Sequence, residues 1–174
     1  TPGDALAVIS GQGKTRLFIV EGELTLSDLI LEKGMASPGS GIAAQLGGSV
    51  ILQSAVTVRA CASTSYGGGI WLSGSGTRLK VAGKGARAII ENNSAVIGAG
   101  FYLQSGASVV VEDGAVVEAK GNIATNYGGG VYLDSEGSTF TATGTSTRVT
   151  VESNTAGQAG GGVFSMSGAD VMVE

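Results

Sequence analysis

Four glycine-rich phrases and a scatter of carboxylates are the parts of this chain whose types and spacing suggest chemistry. The phrases are GGGIWLSGSG at 67–76, GAGFYLQSGA at 98–107, GGGVYLDSEG at 128–137 and GGGVFSMSGA at 160–169. A glycine loop that cradles a phosphate needs a strand before it and a helix after it, with the helix N-terminus facing the anion. Each phrase leads instead into a short alternating apolar run, which reads as a strand. GQGKT at 11–15 has the Gly-Lys-Thr end of a nucleotide loop, but Val8 stands where the leading glycine is required and RLFIV follows in place of a helix. Hydrolysis of a polysaccharide would need two carboxylates about 5–9.5 Å apart. Glu112 and Asp113 lie together, and Glu91, Glu118 and Glu152 flank one strand row. None converges with an arginine, histidine or aromatic to form an acid/base pair, so no catalytic residue is expected.

The remaining chemistry is restricted by what the chain lacks. There is no histidine, and Cys61 is the single cysteine. Nothing is present to activate the thiol, and neither a disulfide within the chain nor a thiolate metal site can form. The glycine-aspartate nonapeptide that binds calcium along a solenoid is absent, and TFTATGTST at 139–147 supplies threonines in one coil only, not the stacked rows an ice-binding face requires. No cofactor or metal is expected. A net charge of −4 without clustered Lys and Arg argues against nucleic acid as a partner. No apolar run reaches the roughly 20 residues of a membrane-spanning helix, so no membrane insertion by this segment is expected. Asn92-Asn93-Ser94 matches the N-glycosylation acceptor pattern.

The phrases must be positioned by something that repeats. The last glycine before each apolar step is Gly41, Gly69, Gly100, Gly130 and Gly162, at spacings of 28, 31, 30 and 32 residues. Three short apolar segments follow each in fixed order, for example VYLD, STFTAT and TRVTVE after Gly130. Each is too short for a helix and alternates with period two. Three strands per coil of about 30 residues predict an all-β fold, a right-handed, single-stranded parallel β-helix in which stacked coils close a common core. Residues 1–174 read as one β-helix domain cut from a longer chain. Residues 1–34 are expected to form irregular N-terminal coils, and 35–174 the regular ones.

The register predicts which side chains meet. Val50, Leu79, Val109, Phe140 and Val171 form one inward row of the second strand, with Leu52, Val81, Val111, Ala142 and Val173 two places on. Val56, Ala88, Val117 and Val149, then Val58, Ile90, Ala119 and Val151, do the same in the third. Three residues later comes a corner column of Cys61, Asn93, Asn122 and Asn154, in which asparagine suits a left-handed bend and bonds to its own turn. In the first strand, inward Val131 and Leu133 leave Tyr132 outward. Trp71, Tyr102, Tyr132 and Phe164 are therefore expected as an external ladder of one ring per coil, preceded by Ala43 and, before it, Phe18. Such a strip serves either ring stacking alone or contact with a glycan, another chain or a flanking loop.

These phrases also carry a family resemblance. GGGI, GGGV or GAGF steps, preceded by NNSA, NIATN or SNTAG, resemble the polymorphic outer-membrane protein repeat of chlamydiae, with its GGA-plus-aliphatic and FxxN motifs. The resemblance covers roughly residues 24–174, and LTLSDLILEKGMASPGSGIA looks like the opening coil of such β-helices. Val58, Ile90, Ala119 and Val151 stand where that motif has phenylalanine, and Cys61 replaces one asparagine. The resemblance implies a secreted or cell-surface autotransporter passenger associated with adhesion. The expectation is thus a non-enzymatic structural or adhesive segment, extracellular, whose partners are other protein chains or glycans. The alternatives are a glycan-binding module built on the aromatic ladder and a polysaccharide lyase or hydrolase.

Overall fold

The computed structural model describes residues 6–174. Every regular element in it is a β-strand, and every strand pairing is parallel. Strands from successive coils lie side by side, so the chain is a β-solenoid of about five turns. Phe18–Val20, Ile42–Ala44, Ile70–Ser73, Phe101–Gln104, Val131–Leu133 and Val163–Ser165 form one six-stranded sheet in chain order. The second and third strands of the coils belong to one ten-stranded sheet, because Glu23–Glu32 and Ser49–Arg59 run unbroken around the bend between them. There the register slips between Ser27 and Leu29, and Asp28 and Ser54 take φ of 54° and 48°.

The inward rows pair in register. Val50, Leu79, Val109, Phe140 and Val171 are consecutive Cα partners, as are Val56, Ala88, Val117 and Val149. With Ile42, Ile70, Phe101 and Val131 from the first strands they form one continuous apolar core, its middle coils wholly removed from water, except that Val171 in the last coil stays exposed. A single coil has no way to bury this face; stacking removes it from water at about 25 cal/mol per Å². Phe101 and Phe140 meet edge to face inside it, with ring centroids 5.7 Å apart.

The structure adds an element that the three-strand reading lacks. After the corner column runs a fourth short strand, at Met35–Ala36, Ala62–Ser63, Ser94–Ile97, Ile123–Tyr127 and Thr155–Ala156, which make a five-stranded sheet. The side chains it buries are small: Ala95 and Ala124, with Ala99 from the following glycine phrase, form a separate cluster against which Ala156 packs, and Ser63 is buried in the Ala62–Ser63 strand. Such small side chains and polar neighbours read in sequence as a turn.

On the outside, the ten-stranded sheet carries alternating charge. Glu32, Arg59, Glu91, Lys120 and Glu152 are consecutive partners in one outward column. Arg59 sits 2.7 Å from Glu32 and Lys120 3.5 Å from Glu91, while Arg87 reaches Glu118 at 2.6 Å. Opposite charges directly across neighbouring strands favour this register over one that would bring like charges together.

Candidate functional site

The first-strand glycines explain why each aromatic follows so closely. In GGGVYL each glycine has its own constraint. Gly128 has φ +62°, and a Cβ there would stand 2.6 Å from the Cβ of Tyr132. At Gly129 a Cβ would lie 2.3 Å from the carbonyl oxygen of Thr155, and at Gly130 2.6 Å from that of Gly162 and 2.8 Å from Nδ2 of Asn154. The first glycine makes way for the ring; the other two let this turn pass close against the next coil. Their role is steric, and the turn leads into a strand with no helix to receive an anion. GQGKT likewise is a turn, with Lys14 N–H bonded to the carbonyl of Gly11.

The aromatic column forms as a register. Trp71, Tyr102, Tyr132 and Phe164 are consecutive Cα partners. Tyr102 and Tyr132 stack with centroids 4.9 Å apart and planes 13° from parallel, and Tyr132 and Phe164 at 5.5 Å and 2°. The rings lie outside the main core, since Ile70, Leu72, Leu103, Val131 and Leu133 take the inward positions of the same strands. The column starts at Ala43 and, one coil earlier, at Ile19; Phe18, which the sequence pattern placed there, points toward the core, because the first coil is offset by one residue.

The strip is not open, and here the structure departs from the expected external ladder. Trp71, Tyr102 and Tyr132 are only 8, 4 and 5% exposed, and Phe164 is half-buried. They make a second apolar core, closed by Ile97 and Tyr127 from the fourth-strand sheet, with Tyr66 tilted over Tyr102 at 4.9 Å. Tyr127 covers Phe164 at 5.1 Å. The hydroxyl of Tyr132 meets Sδ of Met166 at 2.9 Å, and Trp71 Nε1 is buried with no partner. Burial pushes the phenol of Tyr102 well above the ordinary tyrosine range and raises that of Tyr132. Alternation correctly separates these rings from the main core, but alternation says nothing of a lid. The signal for the lid was Tyr66, Ile97 and Tyr127, each directly before a glycine phrase.

The corner column is a buried asparagine ladder. Oδ1 of Asn93 accepts the N–H of Cys61 at 3.0 Å; Oδ1 of Asn122 accepts both N–H and Nδ2 of Asn93 at 3.0 Å; Oδ1 of Asn154 accepts both from Asn122 at 2.9 Å. Each Nδ2 also donates to a carbonyl of the coil before, at Val58, Ile90 and Ala119. The left-handed residue of the corner is the one before the asparagine: Ala60, Asn92, Gly121 and Ser153 have φ of 51–63°. So the asparagines are there to tie coil to coil, and the bend itself is made by their neighbours. Cys61 continues the column with its sulfur, buried against the Arg59 carbonyl at 3.4 Å, and burial pushes its thiol up to about 11. At neutral pH such a thiol is protonated and a poor nucleophile.

The carboxylates are arranged otherwise than the sequence suggests. Glu118 and Glu91, read as lacking a basic neighbour, each pair with Lys120 or Arg87, and Glu112 holds Lys80 at 2.5 Å. Among the described residues no three acidic or cysteine side chains cluster to hold a metal ion, and no helix is long and apolar enough to cross a membrane. Asn92 is exposed at the tip of its corner, with Ser94 also exposed.

No family model, curated protein or solved structure matches the chain. The β-solenoid therefore rests on the strand register alone, and any functional reading on the side chains.

Proposed function

We propose that this chain is a rigid, non-enzymatic scaffold segment of a secreted or cell-surface protein, serving adhesion or the assembly of a surface or matrix structure. The observation that carries the reading is the closure of the aromatic seam by the chain's own fourth strands. Rings that a glycan would stack on are committed to internal packing, as in a part selected for stiffness. The ion-paired carboxylates support it, since a glycoside hydrolase needs one carboxyl kept protonated and another free to act. The resemblance of the GGGV and SNTAG steps to surface-exposed autotransporter repeats points the same way. Partners on this reading are protein chains met along the outer faces, with no nucleic acid.

The experiment is a binding survey with the folded chain on beads, against cultured cells, matrix proteins and a glycan panel, beside a polysaccharide hydrolysis assay. Adhesion to cells or matrix proteins with no glycan retained and no sugar released is the expected pattern. Release of sugars, or retention of one glycan class abolished by Tyr66→Ala, would replace this reading with the enzyme or the glycan module.

A further inference from the structure

The outer side of the second strands holds a break in an otherwise balanced charge pattern. On the ten-stranded sheet, Arg59, Lys80, Arg87 and Lys120 each have a carboxylate partner. Arg78 has none among the described residues. Its Cα partners are Ser49 and Ser108, and its Nε donates to Ser49 Oγ at 3.1 Å. The exposed guanidinium thus leans back over the preceding coil, with both terminal nitrogens unengaged among the described residues. Glu23, the acid of the same column, lies one coil beyond Ser49 and makes no ion pair with it. The neighbouring outward column sets Ile51, Lys80 and Val110 in register. Lys80 swings forward to Glu112, 2.5 Å away, and leaves the two aliphatic side chains partly uncovered. A groove of about 450 Å³ results, lined by Ser49, Ile51, Arg78, Lys80, Val110 and Glu112. It lies within the solenoid, with coils stacked on both sides, so its shape does not depend on either end.

The groove is complementary to one negative charge beside one apolar group. Its two columns stand two residues apart along the strand, about 6.8 Å, and an extended segment repeats its side chains at that same interval on one face. A carboxylate laid on Arg78 can accept from both terminal nitrogens. The side chain two places along the segment then covers Ile51 and Val110, and the next meets the Lys80–Glu112 ion pair. A sulfated glycan or nucleic acid is held by a row of free cations. The row Arg78, Lys80, Lys84 and Arg87 is not such a track, because Glu112 and Glu118 already hold Lys80 and Arg87. We propose that this groove docks an extended acidic segment of a protein partner, in which a carboxylate and an aliphatic side chain lie two places apart. The proposal rests on the reading of protein partners along the outer faces, and names the face and the segment. Arg78 selects the charge, and Ile51 and Val110 the aliphatic side chain.

The probe is a display library of random heptapeptides, panned on the folded chain and in parallel on Arg78→Gln, an exposed substitution that should leave the thermal melt unchanged. Peptides retained by the native chain should carry Asp or Glu two places from Val, Ile or Leu. A synthetic peptide of that pattern should shift the Arg78 Nε–H signal and the Ile51 and Val110 methyl signals in an NMR titration. Its affinity should fall at least about tenfold with Arg78→Gln, and equally when its own acid is replaced by the amide. Retained peptides without the pattern, equal retention by Arg78→Gln, or displacement of the peptide by a heparin oligosaccharide would each overturn the proposal. So would a native chain that is dimeric by light scattering and monomeric as Arg78→Gln, which gives the groove to a second copy. The two readings fail separately. Adhesion in the bead survey that is indifferent to Arg78→Gln overturns the groove and leaves the scaffold. Peptide binding through Arg78 by a chain that adheres to nothing supports the groove and overturns the adhesive role.

Discussion

At the residue scale, the ladder asparagines are the most consequential polar groups in the molecule. Asn122 is fully buried and makes hydrogen bonds to the coils on either side. Asn122→Ala strips acceptors from two Asn93 donors and should cost about 2–4 kcal/mol in denaturant unfolding, more than a lost surface bond. Cys61→Asn should act the other way. The site already has Gly41 on one side, in the place that Gly69 and Gly100 hold beside Asn93 and Asn122. Extending the ladder should raise stability by about 1 kcal/mol in the same measurement. The column itself was legible from spacing. Its bonding was not, because a left-handed corner and a ladder both favour asparagine, and only coordinates show that the positive φ belongs to the residue before.

Elements show the balance between pattern and packing most clearly. Period-two alternation identified the inward rows, since burying Val50 or Val117 is a local matter of strand phase. The aromatic column was legible as a column on the outer side of its strand; that the chain's own fourth strands cover it was not. What covers it comes from SAVI and IATNY, short strands whose Ile97 and Tyr127 reach the rings only because the corner turns the chain back across them. Tyr132→Ala should therefore cost about 3–5 kcal/mol, as for a core aromatic, and not the few tenths of an exposed ring. The seam also has a pH signature. Folding raises the phenol pKa of Tyr102 and Tyr132, so their contribution is fully present below the unfolded tyrosine value of about 10 and is lost as pH rises through the folded values. Thermal melts should show stability falling above about pH 10, and replacing both tyrosines by phenylalanine should remove most of that slope.

At the scale of the whole molecule, apolar rows tie every coil to its neighbours, and from Cys61 and Trp71 onward the asparagine ladder and the aromatic seam add two further kinds of contact. A register error in one coil would displace all three at once and bring like charges together along Glu32, Arg59, Glu91, Lys120 and Glu152. Stability should depend on position, with the coil around Val163–Val173 exchanging its amides first and the coils around Leu72–Val117 last. The scaffold reading depends on the seam being interior. Trp71 is the chain's one tryptophan and lies within that seam, 8% exposed. Its fluorescence therefore reports on the central point with no mutation. The account predicts blue-shifted emission with little quenching by iodide or acrylamide in the native chain, and a red shift with full quenching only on unfolding. Solvent-like emission and free quenching of Trp71 in the folded protein would mean that the aromatic column is an open strip, and the account would be contradicted.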